Sequence, residues 1–126
     1  MPSKRQRRVA EQIREVLTEI IQFEASDPRL TGVTVMEVIV DREFQYATIY
    51  VTALDGDDAQ EDVMDGLVSA SGFLRRELGS RIRLINTPEL RFEWDDTFEE
   101  ALRIEELLDN LKESEDDDSS DASEQD

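Results

Sequence analysis

Cysteine and histidine are both missing from this chain of 126 residues. Without cysteine there is no disulfide, no thiolate zinc site and no cysteine nucleophile. Without histidine the usual neutral-pH base and the usual imidazole metal ligand are gone. No apolar run approaches the ~18 residues of a membrane-spanning helix. The N-terminal stretch, MPSKRQRRVAEQI, lacks the apolar core of a secretory signal. A cytoplasmic protein with no membrane association is expected. Lysine is nearly absent too: Lys4 and Lys112 are the only two, and arginine supplies the other 12 basic residues.

What the chain has in excess is acid. There are 32 Asp and Glu against 14 Lys and Arg, a formal net charge of -18. The C-terminal stretch does not account for this, because residues 1–108 alone carry 23 acids and 13 bases. Taken alone, such a balance speaks against nucleic acid, which usually meets a positive footprint. It favours an acidic module that docks on a basic protein surface. Proteins that work in concentrated salt also carry large negative surfaces, since near 1 M salt the Debye length falls to about 3 Å and self-repulsion is screened. Adaptation to high salt is therefore a second explanation of the acidity.

The length suits one domain. From Glu113 to Asp126 the only apolar side chain is Ala122, so a folded domain of residues 1–112 and a disordered acidic tail of 113–126 are expected. Val9, Ile13, Val16, Leu17, Ile20 and Ile21 recur at helical spacing and predict a first helix, ended by Asp27-Pro28. VTVMEVIV (33–40) and YATIYVTAL (46–54) read as strands joined by a short polar turn, hence an antiparallel hairpin. Val63, Leu67 and Val68 mark a helix over 58–69, and Phe73, Leu74 and Leu78 continue an apolar helix to Gly79. Gly72 between them permits a kink or a close backbone approach. Residues 81–86 are expected to be partly extended. ELRFEW (89–94) follows Pro88 as a third strand, and Leu102, Leu107, Leu108 and Leu111 predict a last amphipathic helix. The order α-β-β-α-α-β plus a C-terminal helix makes an α+β sandwich, with helices packed on one face of a three-stranded sheet.

Few catalytic patterns are present. Asp95 and Asp96 read as a helix cap and a solvated turn. Asp55-Gly56-Asp57-Asp58 lacks the spacing of a calcium loop, and no glycine-rich phosphate loop occurs. Neither an enzyme nor a cofactor is implied.

Several local motifs occur together and in order: RVAEQI followed by an Ile pair, DPRLTGVTVMEV, YATIYV, ASGFLRREL and TPELRFEWDDTFEE. Over about residues 5–108 the chain resembles the ribosome-binding factor A family, whose fold is a type II KH-like domain. The resemblance implies a non-catalytic factor that binds free small ribosomal subunits and their ribosomal RNA, assisting late assembly and processing of the RNA 5′ end. It also implies a monomer and, as a further partner, a maturation GTPase. The family replaces the GxxG loop of ordinary KH domains with an interhelical Ala-x-Gly motif, matched here by Ala70, Ser71 and Gly72.

Three basic groups join that motif as candidate RNA-binding residues. The first is Lys4, Arg5, Arg7 and Arg8, the densest run of positive charge. The second is Arg75 and Arg76, just past the motif. The third is Arg81 and Arg83. Arginine pairs bidentately with phosphate and stacks on bases. The plainer roles stay open here: a solvated tail for the first group, salt bridges to acids such as Glu77 for the others, and helix packing for Gly72. The RNA reading expects Arg7, Arg8, Arg75, Arg76, Arg81 and Arg83 to converge near the motif. The salt reading has its own test: urea unfolding followed against KCl concentration should show higher stability in molar salt than in dilute buffer, and equal stability would count against it.

Overall fold

The computed structural model describes residues 1–122, and their side chains except those of Phe98, Glu99 and 113–122. The chain divides into two units, Met1–Asp95 and Asp96–Asp126.

In the first unit, helix α1 (Lys4–Phe23) begins with a capping box. Ser3 Oγ accepts from the Gln6 backbone N–H at 3.0 Å, and Gln6 Oε1 accepts from the Ser3 N–H at 2.9 Å. This satisfies two of the donors that a helix start leaves orphaned. Val9, Ala10, Ile13, Leu17, Ile20 and Ile21 form its buried stripe. A short 3-10 turn (Pro28–Leu30) follows, capped by the Asp27 carboxylate. It leads to strand β1 (Val33–Val40), which pairs antiparallel with β2 (Tyr46–Ala53). The register slips at Met36, between the Val35↔Val51 and Glu37↔Tyr50 pairs, which marks a β-bulge.

Helix α2 (Gln60–Arg81) then carries the chain to strand β3 (Glu89–Trp94), which pairs parallel with β2. The sheet order is β1-β2-β3. The central strand buries Ala47, Ile49 and Val51 completely. Against them pack α1 and the Val63, Leu67, Leu74 and Leu78 stripe of α2. No polar or charged residue is buried among the described residues. The opposite sheet face carries Thr48, Tyr46, Tyr50 and Arg91. The Arg91 guanidinium lies 3.7 Å from the centre of the Tyr46 ring, a cation–π contact.

Two details differ from the sequence-based expectation. The segments on either side of Ala70-Ser71-Gly72 form one continuous helix. A mid-helix glycine costs about 1 kcal/mol, and the buried apolar stripe that continues across it outweighs that cost. Residues 81–86, expected to be partly extended, start as the last residue of α2 at Arg81, take extended backbone at Ile82 (φ -120°, ψ 129°) and form no strand; just beyond them Arg75 of α2 holds the carbonyls of Thr87 and Pro88.

In the second unit, helix α3 (Thr97–Ala122) continues past Lys112 through residues expected to be disordered, and residues 123–126 lie outside the described residues. Once 97–111 nucleate the helix, each further residue adds a backbone hydrogen bond. Leu102, Ile104, Leu107, Leu108 and Leu111 are exposed, and the compact first unit ends at Asp95.

Leu67 is fully buried at the contact of α2 with the sheet. Leu67→Ala should lower the unfolding free energy by about 2–5 kcal/mol, measured by urea denaturation at fixed salt.

Candidate nucleic-acid interface

The buried stripe of α2 dictates what its other face holds. With Leu74 and Leu78 turned inward, Gly72, Arg76 and Gly79 fall at i, i+4 and i+7 on the exposed side, and Arg75 lies beside them. Together with Asn86 and Thr87 these residues line a shallow groove of about 570 Å³.

Each member has a distinct job. Gly79 permits close approach: a Cβ there would lie 2.6 Å from Thr87 Oγ1. Arg75 braces the far wall, donating from Nε to Pro88 O at 3.2 Å and from Nη2 to Thr87 O at 2.7 Å. Arg76 is exposed and makes no ion pair among the described residues. Gly72 is exposed, and a Cβ at this position would meet only Arg76 Nη1, at an ordinary 3.7 Å. Helix packing therefore does not explain Gly72. Its bare backbone floors an open groove beside a free guanidinium, an arrangement suited to an anionic strand that must come close to the helix.

Ala70 and Ser71 are placed differently. Ser71 Oγ donates to Val68 O at 2.9 Å. Ala70 faces a separate cavity of about 290 Å³ on the other flank of α2, rimmed by Glu24 and Asp27. Of the three motif residues, only Gly72 belongs to the basic groove.

The other sequence candidates separate as well. Lys4, Arg5, Arg7 and Arg8 do not form a solvated tail but occupy the opening turns of α1. The helix dipole disfavours cations there, so this clustering of exposed positive charge at a helix start is unfavourable for the helix itself. Gln6 Nε2 donates to Val40 O at 3.2 Å and ties this end of α1 to the β1–β2 hairpin. Arg5 consequently stacks over the Phe44 ring, 4.8 Å from its centre.

Arg81 departs from the group. Glu19 (3.3 Å), Glu77 (3.4 Å) and Glu24 all pair with it. The Glu24 hydrogen bond, with the neighbouring acids, raises its pKa further. Arg81 joins the ends of α1 and α2, and the expected convergence of all six arginines fails at this residue. Arg83 is exposed and lines neither groove. Arg29, in the turn after α1, is held by Asp27 at 2.7 Å, and the pairing keeps the Asp27 carboxyl below its usual pKa. Sequence reasoning missed Gly79, Asn86 and Thr87. The only local signal was Gly79, which marked the end of an apolar helix.

The described residues hold no cluster of carboxylates placed to bind a metal ion. What the groove offers is guanidinium donors beside bare helix backbone, which suit an anionic group.

Known proteins share the sequence and the fold of this chain. The family model for ribosome-binding factor A matches residues 5–108. A ribosome-binding factor A from an Azoarcus species is 42% identical over 106 residues, covering 84% of each chain. The crystal structure of ribosome-binding factor A from Thermus thermophilus superposes with a TM-score of 0.63 at 28% identity, covering 70% of this chain and 93% of that one. A Thermus thermophilus homology model fitted into a cryo-EM map of a 30S complex aligns with a TM-score of 0.58 at 28% identity, covering 69% and 91%.

Gly72 separates stability from binding. Gly72→Ala should raise the unfolding free energy by about 0.5–1 kcal/mol, because the added methyl meets open space. The same variant should bind its nucleic-acid partner more weakly, because the groove floor rises. Thermal melts and binding titrations of one preparation check both halves.

Proposed function

The chain belongs to the ribosome-binding factor A family, and we propose that it is a non-catalytic factor that binds free small ribosomal subunits, using the groove over Gly72 and Arg76 to hold their ribosomal RNA during late maturation. The observation that carries the assignment of the site is the unpaired Arg76 beside the bare helix backbone of Gly72. Arg75, fixed to the carbonyls of Thr87 and Pro88, shapes the wall and leaves its remaining N–H donors for the RNA. Lys4, Arg7 and Arg8 extend the positive surface from α1. Arg81 acts within the fold, since three carboxylates occupy it.

The factor has no energy source of its own, so any effect on the RNA comes from binding one arrangement better than another. It works in the cytoplasm as a monomer, assists processing of the RNA 5′ end, and leaves with the help of a maturation GTPase. The acidic residues 113–126 serve as a solubilising stretch. The acidity of the whole chain fits a protein adapted to concentrated salt. Under that condition counterion release contributes little affinity, and shape fit and arginine geometry must supply the rest.

The rival reading, an acidic module for a basic protein partner, expects no coherent arginine-lined cleft. Arg75 and Arg76 in one groove favour RNA.

Sedimentation in molar KCl with small subunits, large subunits and assembled ribosomes tests the proposal. Selective co-migration with small subunits is expected. Arg76→Glu should weaken it about tenfold or more, as loss of a charge-assisted contact of ~1.5–3 kcal/mol implies. Absence of association with any particle, with the protein folded in that salt, would overturn the proposal.

A further inference from the structure

The β1–β2 hairpin holds a feature that the groove over Gly72 does not use. Its turn closes with the Phe44 N–H donating to Asp41 O at 3.1 Å, while the Asp41 carboxylate accepts from the N–H groups of Gln45 and Tyr46 at 2.7 and 2.9 Å. Phe44 takes φ 58°, the only non-glycine residue with positive φ among those described. This left-handed conformation is where a hairpin usually places glycine. A bulky aromatic residue there is strained. The ring is half-buried and packs in part against the hydrophobic core, and its remaining surface faces a cavity.

Phe44 walls a cavity of about 320 Å³ with Arg5, Arg42, Glu43, Ile85 and Asn86. That size lies within the ~300–1,000 Å³ of small-ligand clefts. Arg5 lies over the ring, Arg42 is exposed, and Ile85 is 91% exposed. An isoleucine left so open next to a strained phenylalanine is an apolar surface without a cover. The lining combines an aromatic ring, two guanidinium planes and an aliphatic side chain, which are the groups that hold unstacked nucleobases. Glu43 disfavours a phosphate at this place but accepts a hydrogen bond from a base amino group. Asn86 lines this cavity and the Gly72–Arg76 groove alike, so the two adjoin.

We propose that the hairpin cavity holds an unstacked base of the same ribosomal RNA strand whose phosphates lie along the Gly72–Arg76 groove, with Phe44 and Arg5 as its stacking platform. This inference rests on the reading of that groove given above. The groove positions the strand by its backbone; the hairpin tests whether a nucleotide is free of its own helix. A base still paired in mature RNA would be withheld from the cavity, so the hairpin favours an unfolded RNA segment over a folded one.

The full chain carrying Phe44→Gly, Phe44→Trp, Arg42→Glu or Arg76→Glu, titrated against purified free small subunits in molar KCl, tests this. Phe44→Gly removes the ring and relaxes the turn, and affinity should fall about tenfold or more, the loss of one base–aromatic stack. Phe44→Trp should bind within about twofold of the parent, since the platform is kept. Arg42→Glu, at an exposed position, should weaken binding and keeps the test decisive if Phe44→Gly does not fold. Parental affinity in the folded hairpin variants, together with weakened Arg76→Glu, would overturn the hairpin site and leave the groove standing. Parental affinity in all four would remove the groove as well.

Discussion

Gly79 and Thr87 meet closely enough that a single methyl group on the helix would strike the threonine hydroxyl at 2.6 Å. The return of the chain from α2 to β3 passes through that contact. The contact draws the irregular segment after α2 back against the helix. From there Pro88, fully buried, starts β3 in register with β2. Arg75 can then reach the carbonyls of residues 87 and 88 and lock the return. The same closure gives the Gly72–Arg76 groove its second wall and sets Asn86 between the groove and the hairpin cavity. One missing Cβ thus links the parallel pairing of the sheet to the shape of the binding surface.

Charge is organised by separation. The chain is acidic throughout, and two sets of its cations stand apart. Arg14, Arg29 and Arg81 are paired with nearby carboxylates and act within the fold. Arg5, Arg42 and Arg76 make no ion pair among the described residues, and they line the groove and the hairpin cavity. An acidic body repels a polyanion, and the repulsion is weakest where exposed guanidinium groups lack a neighbouring carboxylate. In concentrated salt this long-range repulsion is screened. In the proposed function, contact geometry at the arginines then carries the recognition, which fits the near absence of lysine, a point charge without the planar fork.

The sequence was legible where local pattern and tertiary need agree. VTVMEVIV and ELRFEW became β1 and β3 with the expected limits, because β-branched and alternating residues meet a half-buried sheet on the terms their pattern announces. The apolar stripe of α1 was equally plain. Gly72 was half legible: the residue was singled out, but the helix runs on because Leu67, Leu74 and Leu78 keep one buried face across it. Among the arginines, sequence alone cannot tell Arg76 from Arg81. The acids that claim Arg81, Glu19 and Glu24, lie 62 and 57 residues away along the chain. The hairpin cavity was out of reach for the same reason. Arg5 and Phe44, 39 positions apart in sequence, meet only through the packing of α1 on the hairpin, which the Gln6 side chain on the Val40 carbonyl helps to hold.

In the proposed function, ribosomal RNA lies along the face of α2 that carries Gly72 and Arg76. The lack of native cysteine allows a direct measurement. A single cysteine at Asn86→Cys, between groove and hairpin, carries a tethered iron chelate that generates hydroxyl radicals on the bound small subunit. A second variant carries the chelate at Glu37→Cys, an exposed position on strand β1 whose cross-strand partner Tyr50 lies on the sheet face away from α2. The account predicts strong, localised cleavage of the small-subunit RNA from position 86 and little from position 37. Strong cleavage from position 37 with none from position 86, both proteins being bound, would contradict it.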